Sequence, residues 1–300
     1  MTGQHDLPTT LKIGPPTLRV KNLVKSLHFY EKTLGLRTNS RHKDPVDALE
    51  IVELGFGGTF DNALDPLLIL KHDSDAKESA HNFAGLFHFA ILVPDRKSLA
   101  VAYSALERNQ IRFDGFADHV VSESLYLHDP ERNGIEIYRD RPTGEWTHDA
   151  KGRVVMDTLP LDLKGMLSEL TGQNRNVSDT FPSGARIGHV HLRVTDLRQS
   201  TKFYQEKLGL HVSADWSQMG AMFLSAGSYH HHLGLNVWHS LNGTKREGGE
   251  LGLDEFPISF SDYSPPLESN LVKTQHKGKK ENEYMLTDPD GIRLAISSSK

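Results

Sequence analysis

Two histidines hold the same place in two copies of a repeated strand. His88 stands seven residues before Asp95, and His189 stands seven before Asp196. A third residue, Glu136, follows an Asp-Pro-Glu-Arg-Asn-Gly turn at residues 129–134. Two histidines and one carboxylate are the donor set of the facial triad. There, three ligands cap one face of an octahedral Fe(II) ion and leave the opposite face for substrate and O₂. Neutral imidazoles supply affinity, and the carboxylate offsets the charge of the ion. The chain has no cysteine, so thiolate ligands, disulfides and cysteine nucleophiles are excluded. His191 shares a strand face with His189 and is the competing ligand; the spacing to Asp196 favours His189.

The elements that must position these residues are written as a repeat. Residues 13–36 and 187–210 align without a gap, and half of their positions are identical. Pro15, Pro16 and Thr17 in the first copy are replaced by His189, Val190 and His191 in the second. Each copy opens with an alternating strand, continues through an N-cap (Asn22 or Asp196) into a short helix, and reaches Gly35 or Gly209 where the helix ends. A weaker repeat links 85–95 with 252–262, and Asp-Pro precedes a final strand at 129–130 and at 288–289. The chain therefore reads as four βαβββ modules, about 13–72, 85–140, 187–240 and 251–298. They group into an N-terminal half (13–140), a connector (141–186) with one helix in LDLKGMLSEL, and a C-terminal half (187–298). Glu255 takes the His88 position in module four and Pro15 takes it in module one, while Arg293 stands near the place of Glu136.

The bulk numbers agree with a globular protein. The 300 residues carry 37% apolar and 24% charged side chains and a net charge of −5, enough for two ordinary domains. No basic patch points to nucleic acid, and no apolar run approaches the roughly 18 residues of a membrane span. The opening MTGQHDLPTTLK lacks the apolar stretch of a signal peptide, so a cytoplasmic location is expected.

Paired modules with FYxxxLGL after the first strand and DPxxNGIE in the last resemble the vicinal-oxygen-chelate superfamily, which includes glyoxalase I, bleomycin-resistance proteins and extradiol dioxygenases. The likeness covers about 240 of the 300 residues. The segments GLFHFAILVPDR, DHVVSESLYLHDPERNGIEIYRDRP, GHVHLRVTDL and YHHHLGLNVW are similar to two-domain catechol 2,3-dioxygenases. The resemblance implies an α+β fold of two half-barrels, each made from a pair of modules. Extradiol enzymes usually draw their ligands from modules three and four; here the complete set lies in two and three. Modules are therefore expected to pair as two with three and one with four.

The resemblance also implies the chemistry: extradiol cleavage of catechol or a substituted catechol by O₂ at Fe(II), with Mn(II) equally suited to the ligands. The metal ligands would be His88, His189 and Glu136. Tyr126, ten residues before Glu136, matches the tyrosine that hydrogen-bonds substrate oxygen. His231 matches the acid–base histidine, with the register among His230, His231 and His232 open. His119 matches a further site histidine at an offset of about two residues. Trp146 and His148 of the connector either close over the pocket or simply pack. The partners are a small aromatic diol and O₂, with no nucleic acid and no membrane; a homo-oligomer is left open. Two other functions share the fold: a glyoxalase-type metal-dependent isomerase or lyase, which calls for two carboxylates, and a non-enzymatic small-molecule-binding protein, which needs no ligands.

Overall fold

The computed structural model describes residues 10–56, 66–78, 82–170, 182, 184–261, 263, 265 and 283–298. Module one holds β1 (Leu11–Ile13), β2 (Thr17–Val20), α1 (Leu23–Leu27), β3 (Arg37–Lys43), β4 (Glu50–Gly55) and β5 (Leu68–His72). Module two holds β6 (Gly85–Leu92), α2 (Arg96–Arg108), β7 (Gly115–Asp118), β8 (Ser122–His128) and β9 (Gly134–Asp140). The connector carries α3 (Leu163–Ser168). Module three holds β10 (Arg186–Arg193), α4 (Leu197–Leu208), β11 (His211–Trp216), β12 (Ala221–Ser225) and β13 (Leu233–Asn236). Module four holds β14 (Gly252–Phe260), β15 (Glu283–Thr287) and β16 (Arg293–Ser298); the polar segment between its first two strands lies largely outside the described residues. None of the described helices is long and apolar enough to cross a membrane.

The caps fall where the side chains direct them. Asn22, Asp95 and Asp196 each accept a hydrogen bond from the backbone N–H three residues on, satisfying one orphan donor of α1, α2 and α4. Gly209 ends α4 in the left-handed region at φ 69°. Two local departures from the repeat stand out. The opening strand of module one is split into β1 and β2 at Gly14-Pro15-Pro16, because proline offers no N–H to a ladder, whereas β10 runs unbroken. The first helix also widens after Leu27 into a π-helical stretch, His28–Thr33, while its copy α4 stays α-helical.

The strands form two curled sheets. One runs β15-β16-β14-β2-β5-β4-β3 with β1 on β14; the other runs β11-β12-β13-β10-β6-β9-β8-β7. Modules one and four therefore share one half-barrel, and modules two and three share the other, as expected from the distribution of the candidate ligands. The seams are antiparallel: β14 on β2, and β10 on β6. One buried apolar cluster runs through both sheets, including Leu18, Leu70 and Phe256 from the first and Leu86, Ile135 and Leu192 from the second.

A second set of contacts ties the modules the other way. Tyr30, from the FY pair of module one, donates its hydroxyl to Asp129 in the Asp-Pro turn of module two at 2.9 Å. Tyr204, from the FY pair of module three, donates to Asp288 in the turn of module four at 2.9 Å. Glu131 accepts the backbone N–H groups of Lys21 and Asn22 at 2.9 and 2.6 Å, and Asp290 accepts from Ser200 at 3.0 Å in the matching place. Sheets join two with three and one with four; tyrosine–aspartate bonds join one with two and three with four. The four modules thus close into a ring. Burial raises the Asp288 carboxyl to about 6, against the pull of the Ile292 N–H and the Tyr204 hydroxyl.

Replacing Tyr30 or Tyr204 by Phe removes one buried donor from a buried carboxylate. Each change is expected to lower the unfolding free energy by about 1–3 kcal/mol, read from urea denaturation. A change within error at both sites would show that the ring closes without these bonds.

Candidate metal centre and cavity

Strand register, not sequence proximity, builds the site. Across the second sheet, Gly115, Tyr126, Glu136, Ala90 and His189 fall in one transverse row over β7, β8, β9, β6 and β10. Residues in register share a face, so Tyr126, Glu136 and His189 point the same way. Ala90, between Glu136 and His189, contributes only a methyl group and leaves the space above it clear. In the next row His88 is paired with His191, and His191 is flanked by Gly234 on β13. A Cβ on Gly234 would lie 2.7 Å from the His191 ring; one on Gly134 would lie 2.0 Å from the Phe87 carbonyl oxygen. The inward curl of the sheet leaves no room for side chains at these two positions. A register shift in the β6–β10 pairing after His191 bulges Phe87, so that Phe87 and His88 both face the hollow.

His88 Nε2 lies 2.9 Å and His189 Nε2 lies 3.0 Å from the same oxygen, Glu136 Oε2. All three side chains are buried, and their donor atoms lie within 4.8 Å of one another. His191 does not belong to this group; its ring centre sits 5.0 Å from that of His88, and its Nε2 is buried without a partner. The other Glu136 oxygen accepts from Ser124 at 2.6 Å, which turns Oε2 toward the histidines. The His88–Glu136 contact is close enough for an ion pair but too poorly angled for a hydrogen bond, so His88 Nε2 stays unsatisfied although buried. A buried nitrogen lone pair aimed at the same point as a second imidazole and a carboxylate suits a cation. Two ligands at right angles and about 2.1 Å from one ion lie about 3 Å apart, so the spacing fits adjacent positions of an octahedron.

The electrostatics agree with that arrangement. Burial alone would raise the Glu136 carboxyl, but His189 and His88 hold it well below the usual carboxylate range. Burial pushes His189 down to about 4, against the attraction of Glu136, and pushes His191 and His231 well below the ordinary imidazole value. At neutral pH these three rings are uncharged and can donate lone pairs.

Around the group lies a cavity of about 320 Å³. Phe87, Phe116, Val121, Met156, Trp216, Phe223 and Trp238 wall it, and among the described residues none that lines it is lysine or arginine. Trp238 stands 42% exposed, and its indole N–H donates to the Met219 carbonyl at 2.7 Å. Tyr126, His119 and His231 line the same space. His119 Nδ1 is 2.8 Å from the Asp157 carbonyl, which can only accept; a neutral His119 therefore presents a bare Nε2 to the Tyr126 hydroxyl at 2.7 Å. That leaves the Tyr126 oxygen lone pairs for a ligand. Burial and the charge of Glu136 raise the Tyr126 phenol well above its ordinary value, so it stays protonated.

Of the three adjacent histidines, His231 is the one that lines the cavity, its ring 4.2 Å from that of His189. His232 turns away and accepts from the Ala226 N–H at 3.3 Å. His230 lies behind His231, covered by Trp146 at 5.4 Å between ring centres. Trp146 therefore packs beside the site, and His148 pairs with Val154 at the surface. Glu255 faces Arg293 at 3.7 Å in the other half-barrel. Sequence reasoning did not reach Met156 and Thr158, which enter the wall from the connector, nor Asp140, which bonds His230. Asp140 did carry a signal, lying four residues from Glu136 on the same strand face.

Buried neutral histidines make the fold sensitive to acid. His232, driven by burial to about 3, and His189, at about 4, refuse protons that the unfolded chain accepts near 6.5. The unfolded state then binds more protons, so stability must fall as pH drops from about 6.5 toward 4, by up to about 1.4 kcal/mol per pH unit for each group. Asp288, raised to about 6, and Asp129, also raised by burial, work the other way in part of that window but are outnumbered by His189, His191, His231 and His232. The urea midpoint should decrease steadily below pH about 6.5, with a shallower slope in His232→Leu; a flat midpoint would contradict the buried neutral rings.

A sequence profile of the Glyoxalase/Bleomycin resistance protein/Dioxygenase superfamily matches residues 12–137 and 186–246. A curated relative, catechol-2,3-dioxygenase of Bacillus subtilis (strain 168), is 35% identical over 293 residues, 96% of either chain. Among solved structures, a putative dioxygenase from Bacillus subtilis subsp. subtilis str. 168 aligns with a TM-score of 0.62 at 14% identity, over 97% of this chain and 86% of that one. Glyoxalase I from Zea mays aligns with a TM-score of 0.56 at 16% identity, over 96% and 92%. These two likenesses concern the fold alone. With the profile and the full-length relative agreeing with the four-module architecture, the chain belongs to the glyoxalase/bleomycin resistance protein/dioxygenase superfamily.

Proposed function

We propose that the protein is an extradiol-type dioxygenase that opens the ring of catechol or a substituted catechol with O₂. The observation that carries the reading is the donor group of His88, His189 and Glu136, buried at the base of an apolar cavity beside Tyr126 and His231. Similarity over 96% of the chain to a protein named catechol-2,3-dioxygenase supports it. The glyoxalase-type alternative calls for two carboxylates, and the group holds one among the described residues.

In this reading His88, His189 and Glu136 hold Fe(II), for which Mn(II) is a fitting substitute. The bound ion supplies the redox link between a chelated diol and O₂. The chain's own residues do the rest. Phe87, Phe223 and Trp238 offer apolar surface to the ring. Tyr126, held by His119, accepts a hydrogen bond from a substrate hydroxyl. His231 serves as the acid–base group. The absence of a cation in the wall speaks for uncharged ring substituents, since burying an unpaired carboxylate there costs several kcal/mol.

The test is O₂ uptake with catechol after anaerobic loading with Fe(II), run beside Glu136→Ala. The wild type is expected to consume O₂ and form a yellow muconic semialdehyde, and the variant to show neither. Uptake retained in the variant would discard the donor group while keeping the chemistry. Iron bound without uptake from any uncharged catechol would overturn the function.

Metal loading has its own signature. A ligand that binds only the folded protein stabilises it by mass action, so Mn(II) at about a hundred times its dissociation constant should add about 2.7 kcal/mol to the unfolding free energy. The gain should vanish in His88→Ala, His189→Ala and Glu136→Ala alike. A gain that survives any one of these changes would exclude that residue as a ligand.

A further inference from the structure

His231 is tied to a carboxylate that does not touch the cavity. Its Nδ1 lies 2.7 Å from Nδ1 of His230, and His230 Nε2 lies 2.8 Å from Asp140 Oδ1. Asp140 Oδ2 accepts from the Tyr229 hydroxyl at 2.9 Å, and the Tyr138 hydroxyl lies 2.7 Å from that of Tyr229. His230 is fully buried, with Trp146 and Tyr229 against its ring and its carbonyl accepting from Ser213 at 2.6 Å. Both ring nitrogens of His230 thus have a partner, and its ring faces are packed.

We propose that Asp140, acting through His230, is a positioning residue that fixes the tautomer of His231 with its proton on Nδ1 and a bare Nε2 toward the cavity. An ionised carboxylate can only accept, and both Asp140 oxygens are in use, so His230 must carry its proton on Nε2. The Nδ1 of a neutral His230 is then a lone pair. Two bare nitrogens would repel at 2.7 Å, so His231 Nδ1 must be the donor. The remaining nitrogen of His231, the one its cavity-facing ring leaves unbonded to His230, is an acceptor. Free neutral histidine in water prefers the opposite tautomer, with the proton on Nε2. The network therefore selects the form that can receive a hydrogen bond from a substrate hydroxyl, and this selection depends on the joining of modules two and three: Asp140 ends β9, and His231 precedes β13.

What the tautomer does for turnover rests on the dioxygenase reading; the tautomer itself does not. It is read from long-range ¹H–¹⁵N correlations on histidine-labelled, metal-free protein at neutral pH, with His231 assigned by its loss in His231→Gln. In the wild type, His231 Nδ1 is expected at the shift of a protonated ring nitrogen and Nε2 at that of a bare one. In Asp140→Ala and in His230→Phe the two should exchange in whole or in large part. Nε2–H in the wild type, or an unchanged pattern in both variants, overturns the proposal. In the Fe(II)-loaded enzyme, Asp140→Ala should lower kcat for catechol on the order of 10- to 100-fold with little change in KM. An unchanged kcat would overturn the positioning role. The expected shifts with no O₂ uptake by the loaded wild type would instead refute the dioxygenase reading and leave the tautomer assignment standing.

Discussion

The antiparallel seam between β6 and β10 is the constraint on which the rest of the structure turns. It sets Ala90 against His189 and His88 against His191, and β9 lies on the far side of β6 with Glu136 in the Ala90 row. A shift of one residue in that register would send His189 to the opposite face of the sheet, because side chains alternate with a period of two. The bulges in the seam bend the sheet, and glycines at 134 and 234 let it curl around the histidine pair. Ring closure by Tyr30–Asp129 and Tyr204–Asp288 holds the module pairs against one another and so protects the seam from slipping.

Burial then sets the chemistry of the donor group. In water, imidazole and carboxylate would be a hydrated, loosely associated set. Here desolvation disfavours a protonated His189, and the facing histidines favour an ionised Glu136, so a negative carboxylate and a neutral imidazole coexist at neutral pH. An aromatic wall lines the same space as the donor group. The low proton affinity of His189 and the acid sensitivity of the fold are two consequences of one desolvated pocket.

The other half-barrel provides an internal comparison. Its equivalent positions carry Pro15, Thr17 and Glu255, and its concave face is crossed by ion pairs: Arg19 with Asp73 at 2.6 Å and with Asp254 at 2.8 Å, and Lys71 with Asp44 at 2.7 Å. Arg193, the copy of Arg19, aligns against Phe87 where Arg19 meets Asp254, and burial lowers its guanidinium pKa with no carboxylate acting against it. The repeated scaffold has thus been finished in two ways. One concave face is neutralised by paired charges; the other is left apolar around a few donors.

Much of this was written in the chain. The repeat defined four modules, the caps at Asn22 and Asp196 marked two helices, and the placement of His88, His189 and Glu136 in modules two and three predicted which modules share a sheet. Each of these rests on local periodicity or on comparison between copies, and so can be read along one dimension. The register among His230, His231 and His232 was not legible. Neighbouring side chains on strand-end loops differ in direction by backbone torsions that residue type does not encode. Nor could sequence spacing bring Asp140 behind His231, or Met156 from the connector into the wall, because those contacts join segments whose separation is set by sheet curl and seam register. The sequence by itself determined which residue types were available and on which modules they ride. Only the tertiary structure decided which of them meet, because hydrogen bonding and coordination are settled by distances of a few tenths of an ångström across strands that the chain connects only at long range.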